Sequence, residues 1–162
     1  MKYFKLKTHY KKILADTISP VSVYLKIRDQ FPNSILLESS DYHGNDNSFS
    51  YICCNPIASI KVEAKVITKT YPDHTVETMS VESDNLTREI DGFTKQFEIN
   101  KNKTFRFISN GMFGFTAYDA VKYFEDIVIS KKEDSIQIPD MYYAVYQNII
   151  AINHFKNEAY IF

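Results

Sequence analysis

The chain has no tryptophan, only four glycines, two cysteines, and no apolar run long enough to cross a bilayer. Each shortage excludes something. A membrane-spanning helix needs about 18 or more apolar residues in succession. The opening Met1-Lys2-Tyr3-Phe4-Lys5-Leu6-Lys7 also lacks the apolar stretch of a signal peptide. Gly44, Gly92, Gly111 and Gly114 are too few and too scattered for a phosphate-cradling loop, and no Walker pattern occurs. Cys53 and Cys54 are adjacent, and neighbours on a strand point to opposite faces, so they are not expected to bond to each other. Without a disulfide framework, a reducing compartment is favoured, and the expected location is the cytoplasm. Neither sign of charge dominates: 19 basic side chains meet 20 acidic ones, for a net charge of -1. Lys101, Lys103 and Arg106 read as a solvated loop, so neither a nucleic acid nor a membrane surface is an expected partner.

What the chain does have is rings. Twelve phenylalanines and twelve tyrosines among 162 residues predict an aromatic-rich core and aromatic pocket walls. The length suits one domain, residues 1–162. Residues to about Ile13 read as one edge strand. Ser19 can cap a helix that has Pro20 in its first turn, and Val23, Tyr24 and Ile27 then share a face. Phe31-Pro32-Asn33 ends that helix. Ser34 to Glu38 reads as a short buried strand, and Ser39 to Asn47 as a polar loop. Ser48 to Cys54 reads as a strand, and Asn55-Pro56 as a turn. Ala58, Ile60, Val62, Ala64 and Val66 alternate with polar residues, the pattern of a half-buried antiparallel strand. A turn near Tyr71 to His74 leads to a partner strand at about Thr75 to Val81. Asp84 is placed to cap a second helix, on which Leu86, Ile90, Phe93 and Phe97 share a face. Phe105 to Ile108 reads as a strand, Tyr118 to Glu125 as a short helix, Met141 to Ile152 as a long strand covered on both faces, and Ala159 to Phe162 as a last strand. Together these give an α+β class, mostly antiparallel sheet with a few packed helices. The chain stops inside that last strand without a polar tail, as expected of an artificial boundary.

Residue types alone point to no chemistry. His9, His43, His74 and His154 are far apart and form no metal signature. Cys53 and Cys54 have no evident thiolate-stabilising neighbour and read as small apolar core residues. The carboxylate pairs Glu125-Asp126 and Glu133-Asp134 sit in polar stretches and read as solvated faces.

Three segments, in order, carry a resemblance. They are Leu36-Leu37-Glu38-Ser39; Ser48-Phe49-Ser50-Tyr51-Ile52-Cys53-Cys54-Asn55-Pro56; and Asn110-Gly111-Met112-Phe113-Gly114-Phe115-Thr116-Ala117-Tyr118-Asp119, with Phe124-Glu125 and Pro139-Asp140 beyond it. From about Ile13 to Phe162 this arrangement resembles the N-terminal region of anthranilate synthase component I, a chorismate-utilising family that includes aminodeoxychorismate synthase. Departures are visible: Cys53, Asn110 and Ala117 stand where the family pattern usually has Gly, and Asn153-His154 stands where Asp-His is more usual.

The resemblance implies a two-part enzyme that converts chorismate and ammonia to anthranilate and pyruvate. A glutamine amidotransferase subunit would supply the ammonia. Chorismate and Mg²⁺ would bind in a C-terminal catalytic domain outside these 162 residues, so no catalytic or metal residue is assigned here. It further implies L-tryptophan as feedback inhibitor, bound by Leu37, Glu38 and Ser39. Chemically, Glu38 can accept from an ammonium, Ser39 offers a hydroxyl and a backbone amide, and Leu37 offers an apolar wall. Without the resemblance, the same strand end reads as polar groups satisfying loop backbone. Gly111 and Gly114 read as bends that permit close packing. The alternatives are an aminodeoxychorismate synthase large subunit and a stand-alone binding module.

Overall fold

The computed structural model describes residues 2–39, 48–82, 85–99, 104–129 and 138–162. Strand accounts for 43% of it and helix for 17%, so antiparallel sheet dominates and the class is α+β as expected. The elements in chain order are β1 (Phe4–Leu6), β2 (Lys11–Leu14), α1 (Pro20–Ile27), β3 (Ile35–Leu37), β4 (Phe49–Glu63), β5 (Val66–Thr70), β6 (Val76–Ser80), α2 (Asn85–Thr94), β7 (Phe97–Ile99), β8 (Met112–Thr116), a 3-10 turn (Tyr118–Tyr123), β9 (Met141–Asn153) and β10 (Glu158–Ile161). Along the main sheet the strands run β2-β10-β9-β4-β5-β6, with β3 also on β4 and β8 also on β9; β1 and β7 form a separate pair.

The chain divides into two compact units. One comprises Lys5–Ile57, Ile99–Gly111 and Val145–Phe162. Its helix α1 starts as the sequence predicts, with the Ser19 hydroxyl accepting from the Ser22 N–H at 3.4 Å and Pro20 in the first turn. Val23, Tyr24 and Ile27 of α1 pack with Leu36 on buried Ala15, Ile52, Ile152 and Ala159. The register explains the grouping, because Ala159 pairs with Ile152 on one side and Ile13 on the other, while Leu36 pairs with Ile52. The opposite face carries rings. Tyr10, Phe49, Tyr51, Phe105, Phe107, Tyr160 and Phe162 form a continuous network with centroid separations of 4.5 to 6.4 Å.

The other unit comprises Met1–Phe4, Ala58–Glu98 and Met112–Ala144. Ala58, Ile60 and Val62 of β4 are buried, as are Ile67 of β5 and Leu86 and Phe93 of α2. Phe93 meets Tyr71 at 5.7 Å and Phe97 at 5.1 Å. Lys69 of β5 is buried and reaches Glu89 of α2, Nζ to Oε2, at 2.5 Å.

Several expectations are corrected. The opening residues make two short strands, β1 and β2, where one was expected. Ser34 to Glu38 was expected to be buried, yet β3 is only half-buried and Leu37 is 38% exposed. Asn55-Pro56 is not a turn. Asn55 takes a left-handed φ of 60°, which asparagine tolerates, and β4 continues through it for 15 residues. Ala64 and Val66 do not continue the face of Ala58, Ile60 and Val62. Ala64 and Lys65 both have positive φ and close a two-residue hairpin, in which Glu63 pairs with Val66. The usual Asn-Gly signature is absent there, so the alternating pattern runs through the turn unmarked. Phe97 lies in β7 and not on α2; it still packs on Phe93 through the strand. Phe105 to Ile108 forms no strand, and its phenylalanines join the ring network instead. The proposed cap Asp84 lies outside the described residues, as does the loop from Ser40 to Asn47.

Candidate functional site

The strand end at Leu36 to Ser39 is built by the turn before it. Asn33 has φ 60°, which reverses the chain after Phe31-Pro32. Two phenols hold that turn: Tyr146 Oη donates to Asn33 O at 3.0 Å, and Tyr24 Oη donates to Ser34 O at 3.3 Å. Strand β3 then pairs with β4 through Ile35–Cys53, Leu36–Ile52 and Leu37–Tyr51. Successive side chains alternate faces. Leu36 therefore enters the core beneath α1, and Leu37 is placed on the ring-bearing face beside Tyr51. Glu38 is exposed and Ser39 half-buried, and both have interaction partners.

Beyond Leu37 the rings continue. Tyr51 stacks on Phe49 at 6.1 Å, and Phe49 on Phe107 at 4.5 Å. Burial raises the Tyr51 phenol above its ordinary pKa, opposed by a backbone hydrogen bond from Ile108. The three expected site residues thus come together at one place, as consecutive residues must. What sequence reasoning missed was their setting: Phe49 and Tyr51 on the adjoining strand, and Phe107 from a segment with no regular structure. The alternation Ser48-Phe49-Ser50-Tyr51 was the available signal for the first two. A cavity of about 130 Å³ in the same unit, between Leu6, Thr8, Ile57, Asn110 and Phe162, does not include the strand end.

The cysteines offer no nucleophile. Both are free and buried. Burial pushes the Cys53 thiol up to about 12, and burial also raises Cys54, partly offset by a hydrogen bond with Asn148. A thiol without an accessible thiolate is a poor nucleophile at neutral pH. Among the described residues no group of three His, Cys, Asp or Glu side chains is arranged to hold a metal ion.

The glycine-aromatic segment has a structural role. A Cβ on Gly114 would lie 1.9 Å from Tyr142 O and 2.7 Å from Tyr143 Cα, so only glycine lets β8 approach β9 this closely. Ala117, standing where the family pattern usually has Gly, sits at φ -68° and bears no left-handed strain. Asp140 accepts from Lys122 Nζ at 2.6 Å and from Tyr123 Oη at 2.7 Å, and its carbonyl accepts from the Ala117 N–H at 2.8 Å. The Pro139-Asp140 pair is thereby a pin for the 3-10 turn.

No family model matches the chain. Individual proteins do. Anthranilate synthase component 1 of Lactococcus lactis is 30% identical over 152 residues, covering 94% of this chain and 31% of that protein. Aminodeoxychorismate synthase component 1 of Bacillus subtilis is 27% identical over 144 residues, covering 89% of this chain and 29% of that protein. The crystal structure of anthranilate synthase component I from Streptococcus pneumoniae superimposes with a TM-score of 0.50 at 24% identity, over 94% of this chain and 31% of that one, a likeness of fold. The chain spans about three tenths of the length of the curated relatives it matches. It is related to anthranilate synthase component I, matching the N-terminal part of that protein.

Proposed function

We propose that these residues are the N-terminal, regulatory part of an anthranilate synthase large subunit and contribute one wall of a tryptophan feedback site through Leu37, Glu38 and Ser39. The observation that carries this reading is the 30% identity to an anthranilate synthase component 1 over 94% of the chain. The site's chemistry supports it. An amino acid with an indole needs an acceptor for its ammonium and a flat apolar surface for its ring. Glu38, exposed at the strand end, can supply the first, and the part-exposed Leu37 can supply apolar surface toward the second. On this reading, the whole protein makes anthranilate and pyruvate from chorismate in the cytoplasm. It takes ammonia from a glutamine amidotransferase subunit. Chorismate and Mg²⁺ belong to a catalytic region outside these residues, and the 162-residue chain alone turns over no chorismate.

The first check is the reading frame, which should continue past Phe162 for a few hundred codons; a stop codon there favours a stand-alone module. The second is inhibition. The full-length synthase should be inhibited by tryptophan, and Ser39→Ala should relieve that inhibition. Unchanged inhibition in the variant refutes the site. A second reading, aminodeoxychorismate synthase, is favoured by the 27% identity to that enzyme over 144 residues. Product analysis separates the two: anthranilate with pyruvate supports the first, and aminodeoxychorismate the second.

A further inference from the structure

The cavity of about 130 Å³ that excludes the strand end lies wholly within one compact unit. Its volume is close to the ~150 Å³ that accepts a benzene molecule. Ile57, Ile149 and Phe162 give it apolar walls. Phe162 is held there by two backbone hydrogen bonds with Ile149, at 2.8 and 3.0 Å. One wall is thus fixed by β9 and by the residue that follows β10.

The polar lining is rich in donors. Lys7, His9, Asn110 and Gln147 line the cavity, and among the described residues no aspartate or glutamate does. A side-chain amide carries an acceptor end and a donor end, so what matters is which end is already engaged. The Asn110 oxygen, Oδ1, accepts from Thr8 Oγ1 at 2.9 Å. The Gln147 oxygen, Oε1, accepts from Nδ2 of Asn55, the left-handed residue within β4. Both amides therefore have their acceptor ends taken and keep N–H protons to give. Lys7 adds a positive charge with three donors, and His9 adds a ring N–H. Donors gathered with a cation, and no carboxylate in the lining, complement a negatively charged oxygen group.

We propose that this cavity binds a small organic acid. Its carboxylate is received by Lys7, His9, Asn110 and Gln147, and its apolar body lies on Ile57, Ile149 and Phe162. A bare inorganic anion would leave the apolar walls unused, and a neutral molecule would leave the lysine without a counter-charge. The inference stands apart from the tryptophan reading, because none of Leu37, Glu38 and Ser39 lines the cavity.

Benzoate is the probe, since its ring suits the cavity volume and its carboxylate suits the donors. Isothermal titration calorimetry on the full-length protein would compare it with benzamide, its neutral counterpart, and with inorganic phosphate. Benzoate should bind about tenfold tighter than either. Lys7→Met and Gln147→Leu, both at exposed positions, should each weaken benzoate binding about tenfold, the loss of one hydrogen bond to a charged group. Lys26→Met, on α1 and outside the cavity lining, should leave it unchanged. Benzoate binding that survives intact in both lining variants overturns the assignment, because the acid then sits elsewhere on the protein. An equal loss in Lys26→Met also overturns it by showing diffuse charge attraction. Benzamide binding as tightly as benzoate overturns the carboxylate's role, and phosphate binding as tightly overturns the role of the apolar walls. Benzoate binding weaker than about 10 mM overturns the site altogether.

Discussion

Lys69 and Glu89 test how α2 is held to the sheet. The lysine side chain is 5% exposed, lies on the buried face of β5 with Ile67 and Tyr71, and meets a carboxylate of α2 at 2.5 Å. Glu89 is 21% exposed, so water reaches it but scarcely reaches the ammonium. Its other oxygen faces Arg88 Nε at 3.8 Å, but Arg88 is largely solvated and that contact contributes little. Removing the carboxylate by Glu89→Leu strands a buried cation. Breaking a buried pair this way costs about 3–5 kcal/mol, and the partial exposure of Glu89 puts the expected loss near 3 kcal/mol. For a chain of this size that is a fall in Tm of roughly 6–12 °C. The double variant Lys69→Met with Glu89→Leu removes both charges at similar volume and should recover most of the loss, because neither desolvation cost remains. Urea and thermal unfolding followed by far-ultraviolet circular dichroism would measure all three proteins. The single-variant loss should also vary little between low and high salt, since a buried pair is poorly screened. A loss below about 1 kcal/mol in Glu89→Leu, the range of exposed ion pairs, would refute the reasoning.

Gly114→Ala should destabilise the chain by about 1–3 kcal/mol through backbone overlap with Tyr142, measurable by urea unfolding, and parent-like stability would contradict the close approach of β8 and β9. Leu36→Ala should cost about 2–3 kcal/mol because its side chain joins the α1 core, whereas Leu37→Ala should cost less because it is partly solvated; equal losses would mean the faces are misassigned. Neither cysteine should react with a thiol reagent at pH 8 until the protein is unfolded, and prompt reaction of the native protein would contradict their burial. The Cys53 thiol and the Tyr123 phenol are both pushed up to about 12, chiefly by burial. Each holds a proton that the unfolded chain releases at lower pH. Their contribution is therefore complete below the unfolded values and is lost as the pH rises toward 12, so stability should fall across that alkaline range in a pH series of unfolding curves.

Local rules were legible wherever one residue type decides the backbone. Ser19 and Pro20 open α1 because a hydroxyl acceptor and a fixed φ are what a helix start needs. The long strand β9 was legible because burial on most of its positions leaves a nearly unbroken apolar run. The misses share another cause. At Ala64-Lys65 two residues that do not usually adopt positive φ are placed there by the pairing of β4 with β5, so tertiary register overrides local preference. At Asn55 a signal that usually ends a strand is absorbed within one. Phe97 kept its contact with Phe93 while changing element, because a helix face and a following strand can deliver a ring to the same place.

The candidate site shows the same division. Leu37, Glu38 and Ser39 could be named from a short segment and its resemblance, but nothing in those residues said which side chain faces where. The antiparallel register decides that. It sends Leu36 to the α1 core and sets Leu37 beside Tyr51. Ser50 and His154 are separated by 104 residues and no sequence spacing links them; they meet because the start of β4 lies beside the residue that follows β9. A short motif thus names neighbouring residues, while strand pairing decides which face each of them occupies.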